Sequence, residues 1–170
     1  MAGLIVLAAL PSLLVLLLSL LTIMPKPISG YGGVFPLLHL IPVFVWSALH
    51  PRHMPVYVVA FSGLMIDSAT GLPLGLSSLC YVLLLFTTRI LRKRISKEGF
   101  AGVWFYFCIL TGALQVIIWL SLCMLYTACP NMLPALIQLA LTCLCYPLLH
   151  RLLHPAIEQM ANWRYRLLHA

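Results

Sequence analysis

Apolar positions run along this chain in long stretches, without the one-sided pattern of a water-facing helix. Read by length and by what interrupts them, they predict six spans: about 3–24, 34–49, 56–70, 74–91, 101–127 and 133–153. Crossing a bilayer takes about 20 predominantly apolar residues, and helices satisfy their own backbone groups there. The interruptions are rich in Pro, Gly or basic residues: "PKPISGYGG" (25–33), "HPRHMP" (50–55), "GLPLG" (71–75), "RILRKRISK" (89–97) and "ACPNM" (128–132). The predicted class is an all-α polytopic membrane protein of about six transmembrane helices. Residues 1–170 form a single integral membrane domain, with 155–170 as a cytoplasmic interfacial tail.

Composition agrees. The chain is 63% hydrophobic and 8% charged, where a soluble domain carries about 25% charged residues. Net charge is +7, which in a soluble protein points to nucleic acid. Here the six-span reading puts nine of the ten basic residues on one side. They are Arg52, the cluster Arg89, Arg92, Lys93, Arg94 and Lys97, and then Arg151, Arg164 and Arg166; Lys26 alone falls on the other side. Lys and Arg accumulate on the cytoplasmic side. Both termini are therefore expected in the cytoplasm, and no nucleic-acid partner is expected. No Lys or Arg precedes the first apolar run, and no clear small-x-small cleavage site follows it, so it is expected to be a retained span. In the tail, Ala156, Met160, Trp163 and Leu167 fall at helical spacing, which suits a short helix lying in the membrane interface.

Little in the chain suggests catalysis. The six cysteines form no CxxC and read as small packing residues. The three acids are Asp67, Glu98 and Glu158, and only Asp67 falls at membrane depth, so a paired-carboxylate site is excluded. HExxH, GxSxG and P-loop signatures are absent. His150 and His154 stand at i, i+4 without a third ligand and read as interfacial packing or lipid-headgroup contacts. His50 and His53 flank Arg52 and read as loop solvation. Lys26 with Ser29 lacks anything to orient it as a dyad. No enzyme, no cofactor and no metal site are expected.

The stretch "GLMIDSATGLPLG" (63–75) stands out from its surroundings. Asp67 lies 12 residues into the third span, about 18 Å along a helix and past the middle of a hydrocarbon core about 30 Å thick. A carboxylate there costs about 2.5–3.5 kcal/mol on insertion scales. Ala60, Gly63, Asp67 and Gly71 share one helix face, and small residues on such a face let another helix approach closely. The expectation is a tightly packed corner with a polar group inside it. That corner either binds a ligand or partner, or uses Asp67 to cap the fourth span and its own turn.

This stretch, with "GLSSLCYVLLLF" and "RILRKRI" after it and "FPLLHLIPVFVWSALHPRHMPVYVVAF" before it, resembles the bacterial rod shape-determining protein MreD family. The resemblance rests on a G-x-x-x-D-x-x-x-G-x-P-x-G corner, here Gly63, Asp67, Gly71, Pro73 and Gly75. It rests also on the second-span positions Pro36, Trp46 and Pro51. The motif covers about 34–94; the later spans match in hydropathy alone. The resemblance implies a non-enzymatic inner-membrane subunit of the cell-elongation (rod) complex. Such a subunit binds MreC and, through it, supports MreB, RodA and a class B penicillin-binding protein in lateral peptidoglycan synthesis and cell shape. The family resembles in fold the substrate-binding subunits of energy-coupling-factor transporters. The alternative function is therefore a membrane-embedded vitamin-binding subunit, which would use Asp67, Thr70, Tyr31, Asn131, Gln115 and Tyr126. Membrane lipid is expected around either.

Overall fold

The computed structural model describes residues 2–23, 35–49, 51, 54–125 and 130–168, with side chains within 10–153. The loop at 25–33, including Lys26 and Ser29, lies outside them. So do His50, Arg52, His53, Tyr126 and Cys129, and the side chains of His154, Glu158, Arg164 and Arg166. The described residues are all-helical, with six helices and no strand. These are α1 (Ala2–Ile23), α2 (Leu40–Leu49), α3 (Val56–Thr70), α4 (Leu76–Ile95), α5 (Phe100–Leu125) and α6 (Leu133–Leu168).

The middle of the molecule is built around the shortest helix. Residues Leu40 to Ala48 of α2 are all buried, as befits a helix apolar on every side. α2 packs against α1, α4 and α6, while α3 lies across α1 and α4. α5 and α6 form an antiparallel pair, shown by Trp104 meeting Cys143 and Gln115 meeting Gln138. The pair docks on α2 through aromatic rings. Phe107 of α5 stacks on Tyr146 of α6 at 4.6 Å between centroids, and Phe44 of α2 meets Phe107 edge-on at 5.3 Å.

Two helices are long and apolar enough to cross a membrane: Phe100–Leu125, mean hydropathy 2.2, and Leu133–Leu153, mean hydropathy 1.5. Only 11% of the most apolar window of each is buried inside the molecule, whereas the core helix of a water-soluble protein is mostly covered. Their apolar side chains point outward, as a surrounding hydrocarbon phase allows. Among the described residues, the expectation of six such spans is met by length and composition at these two, and α1, 22 residues long, is counted there only from Leu10. The physical reasons differ by helix. α2 has 10 residues and α3 has 15, and α4 runs on into Arg92, Lys93 and Arg94.

The second predicted span is shorter than its hydropathy suggests. Residues 35–39 are not helical, although they continue the apolar run. They form an inlet whose backbone groups are met by α6: Gln138 Nε2 donates to the Phe35 carbonyl at 2.9 Å, and the Leu37 N–H donates to Thr142 Oγ1 at 3.0 Å. The tail is helical as its spacing predicts, and it continues α6 as one helix to Leu168.

Candidate functional site

The corner between α3 and α4 is a lock made of backbone. Asp67 sits one turn before the end of α3 and is fully buried. Its carboxyl group accepts three hydrogen bonds: from the Gly75 N–H to Oδ2 at 2.9 Å, and from the Ser77 N–H to Oδ1 at 3.1 Å and Oδ2 at 3.2 Å. Those N–H groups belong to the first turn of α4, where four donors have no intrahelical acceptor. An acid at that end also meets the positive pole of the α4 dipole. The Asp67 backbone works as well. Its carbonyl accepts from the N–H groups of Gly71 and Leu72, the latter at 3.1 Å, combining the 5→1 bond of an αL cap with the 6→1 bond of the Schellman type.

The glycines explain why a side chain as short as Asp reaches. A Cβ on Gly63 would lie 2.5 Å from the Ser78 nitrogen and collide with the Ser78 Cα. The missing side chain thus lets the start of α4 press on α3 one turn below Asp67. Gly71 (φ 71) and Gly75 (φ 96) hold the left-handed conformations that end α3 and begin α4, which side chains disfavour. Between them, the Pro73 carbonyl accepts the Leu76 N–H at 3.1 Å. Gly63, Asp67, Gly71, Pro73 and Gly75 therefore come together as one unit, and the capping role is the one the geometry displays.

The second-span positions do not join this unit. Pro36 lies in the inlet, where its carbonyl accepts the Leu38 N–H at 2.9 Å. Trp46 is fully buried in the core. Pro51 lies at the opposite end of α2, where its carbonyl accepts from Arg89 at 2.9 Å.

The basic cluster divides in two. Arg89 also donates to the Met54 carbonyl at 2.6 Å, and Arg92 donates to the carbonyls of Ala48 at 3.0 Å and Leu49 at 3.3 Å. The end of α2 and the turn after it are thus closed by cations from α4, which suits the negative pole of a helix. Lys93, Arg94 and Lys97 are exposed. Arginines read from the sequence only as topology signals are also part of the tertiary structure.

Several residues central to the packing were not singled out by sequence reasoning. Gln138 and Thr142 hold the inlet, and their signal was polarity inside an apolar span. Trp104 donates its indole N–H to the Cys143 carbonyl at 3.0 Å. Pro147, four residues on, has no N–H with which to meet that carbonyl. His39 is fully buried against Tyr81 at 5.0 Å between ring centroids, and neither of its ring nitrogens has a hydrogen-bond partner among the described residues.

The polar side chains proposed for a vitamin pocket are engaged within the chain. Thr70 donates to the Ile66 carbonyl, Asn131 accepts the Leu133 N–H, and Gln115 donates to Gln138. Tyr31 and Tyr126 lie outside the described residues. No family model, no curated protein and no solved structure matches the chain.

Proposed function

We propose that this chain is a multi-pass subunit of the bacterial inner membrane, with both termini cytoplasmic. It serves as a non-catalytic part of the cell-elongation complex that binds MreC and supports lateral peptidoglycan synthesis. The observation that carries the reading is the α3–α4 lock. The stretch that resembles the MreD family folds into a single rigid device, with Asp67 held by two backbone N–H donors through three hydrogen bonds and Gly63 allowing backbone contact. Such a corner suits a docking template of fixed shape. Both carboxyl oxygens are engaged within the chain.

The vitamin-binding alternative needs polar groups that converge on an open space. Thr70, Asn131 and Gln115 are instead bonded to their own chain, which favours the scaffold. Affinity purification of the tagged chain from native membranes tests the choice. The scaffold reading expects MreC among the retained proteins, and rounding of a rod-shaped cell when the gene is deleted. A deletion strain that stays rod-shaped would sink it. A vitamin identified by mass spectrometry in the purified sample would favour the alternative.

A further inference from the structure

Helices α5 and α6 bring two cysteines face to face. Across this antiparallel pair, a Cβ on Gly112 would lie 3.6 Å from Leu139 Cδ2, so Gly112 faces Leu139. One turn back along α5 and one turn on along α6 stand Cys108 and Cys143. A hydrogen bond joins their side chains. The Trp104 indole, a further turn back on α5, donates to the Cys143 carbonyl at 3.0 Å and closes the same seam. We propose that Cys108 and Cys143 are a redox pair that a lipid-soluble quinone oxidises to an interhelical disulfide. The inference uses the membrane reading above but not the elongation complex.

Geometry carries the pairing. Packed helix axes lie about 8–10 Å apart, and each Cα sits about 2.3 Å from its own axis. Residues that face each other directly across such a seam therefore have Cα atoms about 3.4–5.4 Å apart. A disulfide takes a Cα separation of about 4.4–6.8 Å, so the two ranges overlap. Gly112 carries no side chain to hold the helices apart one turn away, and small residues allow close approach. Two thiols already in contact bond after small rotations about their Cα–Cβ bonds. Cys145, two residues beyond Cys143, points to another side of α6 and has no part in the pair.

Position selects the oxidant. Cys108 lies eight residues into α5, about 12 Å along the helix. Cys143 lies ten residues before Leu153, about 15 Å along α6. Both fall near the middle of a hydrocarbon core about 30 Å thick. Each side chain is half-buried, so part of it faces the surrounding phase. Aqueous thiol exchange proceeds through the thiolate, a charge that is costly at this depth. A neutral quinone dissolves there and takes up protons together with electrons. Two S–H bonds break and one S–S bond forms. The two electrons and two protons pass to the quinone oxygens, giving the quinol. The link fastens α5, whose buried residues are Phe107, Thr111 and Leu114, to α6.

Washed native membranes carrying the full chain are treated with decylubiquinone, whose fully substituted ring forms no thiol adduct. Free thiols are then blocked with N-ethylmaleimide, and the chain is cut after methionine with cyanogen bromide. Cleavage at Met65, Met124, Met132 and Met160 leaves Cys108 on 66–124 and Cys143 on 133–160. At least half of the free 66–124 fragment is expected to move into a band that holds both fragments and separates on reduction. Cys108→Ala and Cys143→Ala are each expected to abolish that band, while Cys123→Ala and Cys145→Ala keep it. Ferricyanide, which does not enter the bilayer, is expected to give less than half the yield. Absence of the band with the quinone, its survival in Cys108→Ala or Cys143→Ala, or an equal yield with ferricyanide would each overturn the proposal. Recovery of the chain in the soluble fraction after lysis overturns the membrane reading and the lipid-phase oxidant together, and that is read before any oxidant is added.

Discussion

Asp67 and Gly63 show how two residues four apart divide one task. Gly63 removes the atoms that would hold α4 away, and Asp67 bonds to what then comes near. Replacing Asp67 with Ala leaves the buried Ser77 N–H and the half-buried Gly75 N–H without their acceptor, at about 1–3 kcal/mol for the buried one. Asn keeps one carbonyl oxygen, so Asp67→Asn is expected to lose about half as much stability and to accumulate better than Asp67→Ala. Gly63→Ala forces a methyl into the Ser78 backbone and is expected to cost more than the 1–3 kcal/mol typical of overpacking. Unfolding in detergent, with band intensity in isolated membranes, ranks the three. Equal, wild-type behaviour of both Asp67 variants would refute the capping role.

Helices α2, α4 and α6 are completed by groups outside themselves. The end of α2 is closed by Arg92 and the turn after it by Arg89, while α4 is opened by Asp67. α6 tolerates Pro147 because Trp104 takes the Cys143 carbonyl. A double-mutant cycle isolates that last bond. Trp104→Phe is expected to cost about 1 kcal/mol when Pro147 is present. In a Pro147→Ala background the Cys143 carbonyl regains a helical N–H, and the cost should fall toward zero. An unchanged cost in both backgrounds would separate Trp104 from the proline. Here the limits of sequence reading also become clear. Helix α3 occupies 56–70, the stretch read as the third span, because Pro55 and Gly71 punctuate it locally. The inlet at 35–39 was read as helix because its residues are apolar. What holds it, Gln138 and Thr142, lies 103 and 105 residues away, and no periodicity reports a bond of that span. The corner was legible for the opposite reason, since all of its parts fall within 15 residues from Gly63 to Ser77.

At the scale of the whole molecule, α1, α4 and α6 pack around a buried α2, α3 lies across α1 and α4, and α5 packs on α4 and α6, with Phe107 and Tyr146 carrying the aromatic contact to Phe44. The two ends differ in character. The Asp67 corner and the inlet are drawn together by neutral hydrogen-bond donors, whereas the opposite end gathers Arg89, Arg92, Lys93, Arg94 and Arg151. Charge segregation was visible from the sequence, because sign and position need no tertiary knowledge. What it could not show is that two of those arginines also close a helix.

The inlet carries a consequence for how the chain is made. The Asp67 lock spans eight to ten residues and can close as soon as α3 and α4 have left the ribosome. The Phe35 carbonyl and Leu37 N–H must wait for α6. Until synthesis reaches Gln138 and Thr142, the two bonds that tie the inlet to α6 are absent, and lost backbone bonds are costly in hydrocarbon. A fragment stopped before residue 130 is thus expected to be degraded in the membrane, and supplying 100–170 as a second fragment is expected to restore its level. Pulse-chase labelling measures both. On that expectation, the early half gains its full stability only once the late half has arrived.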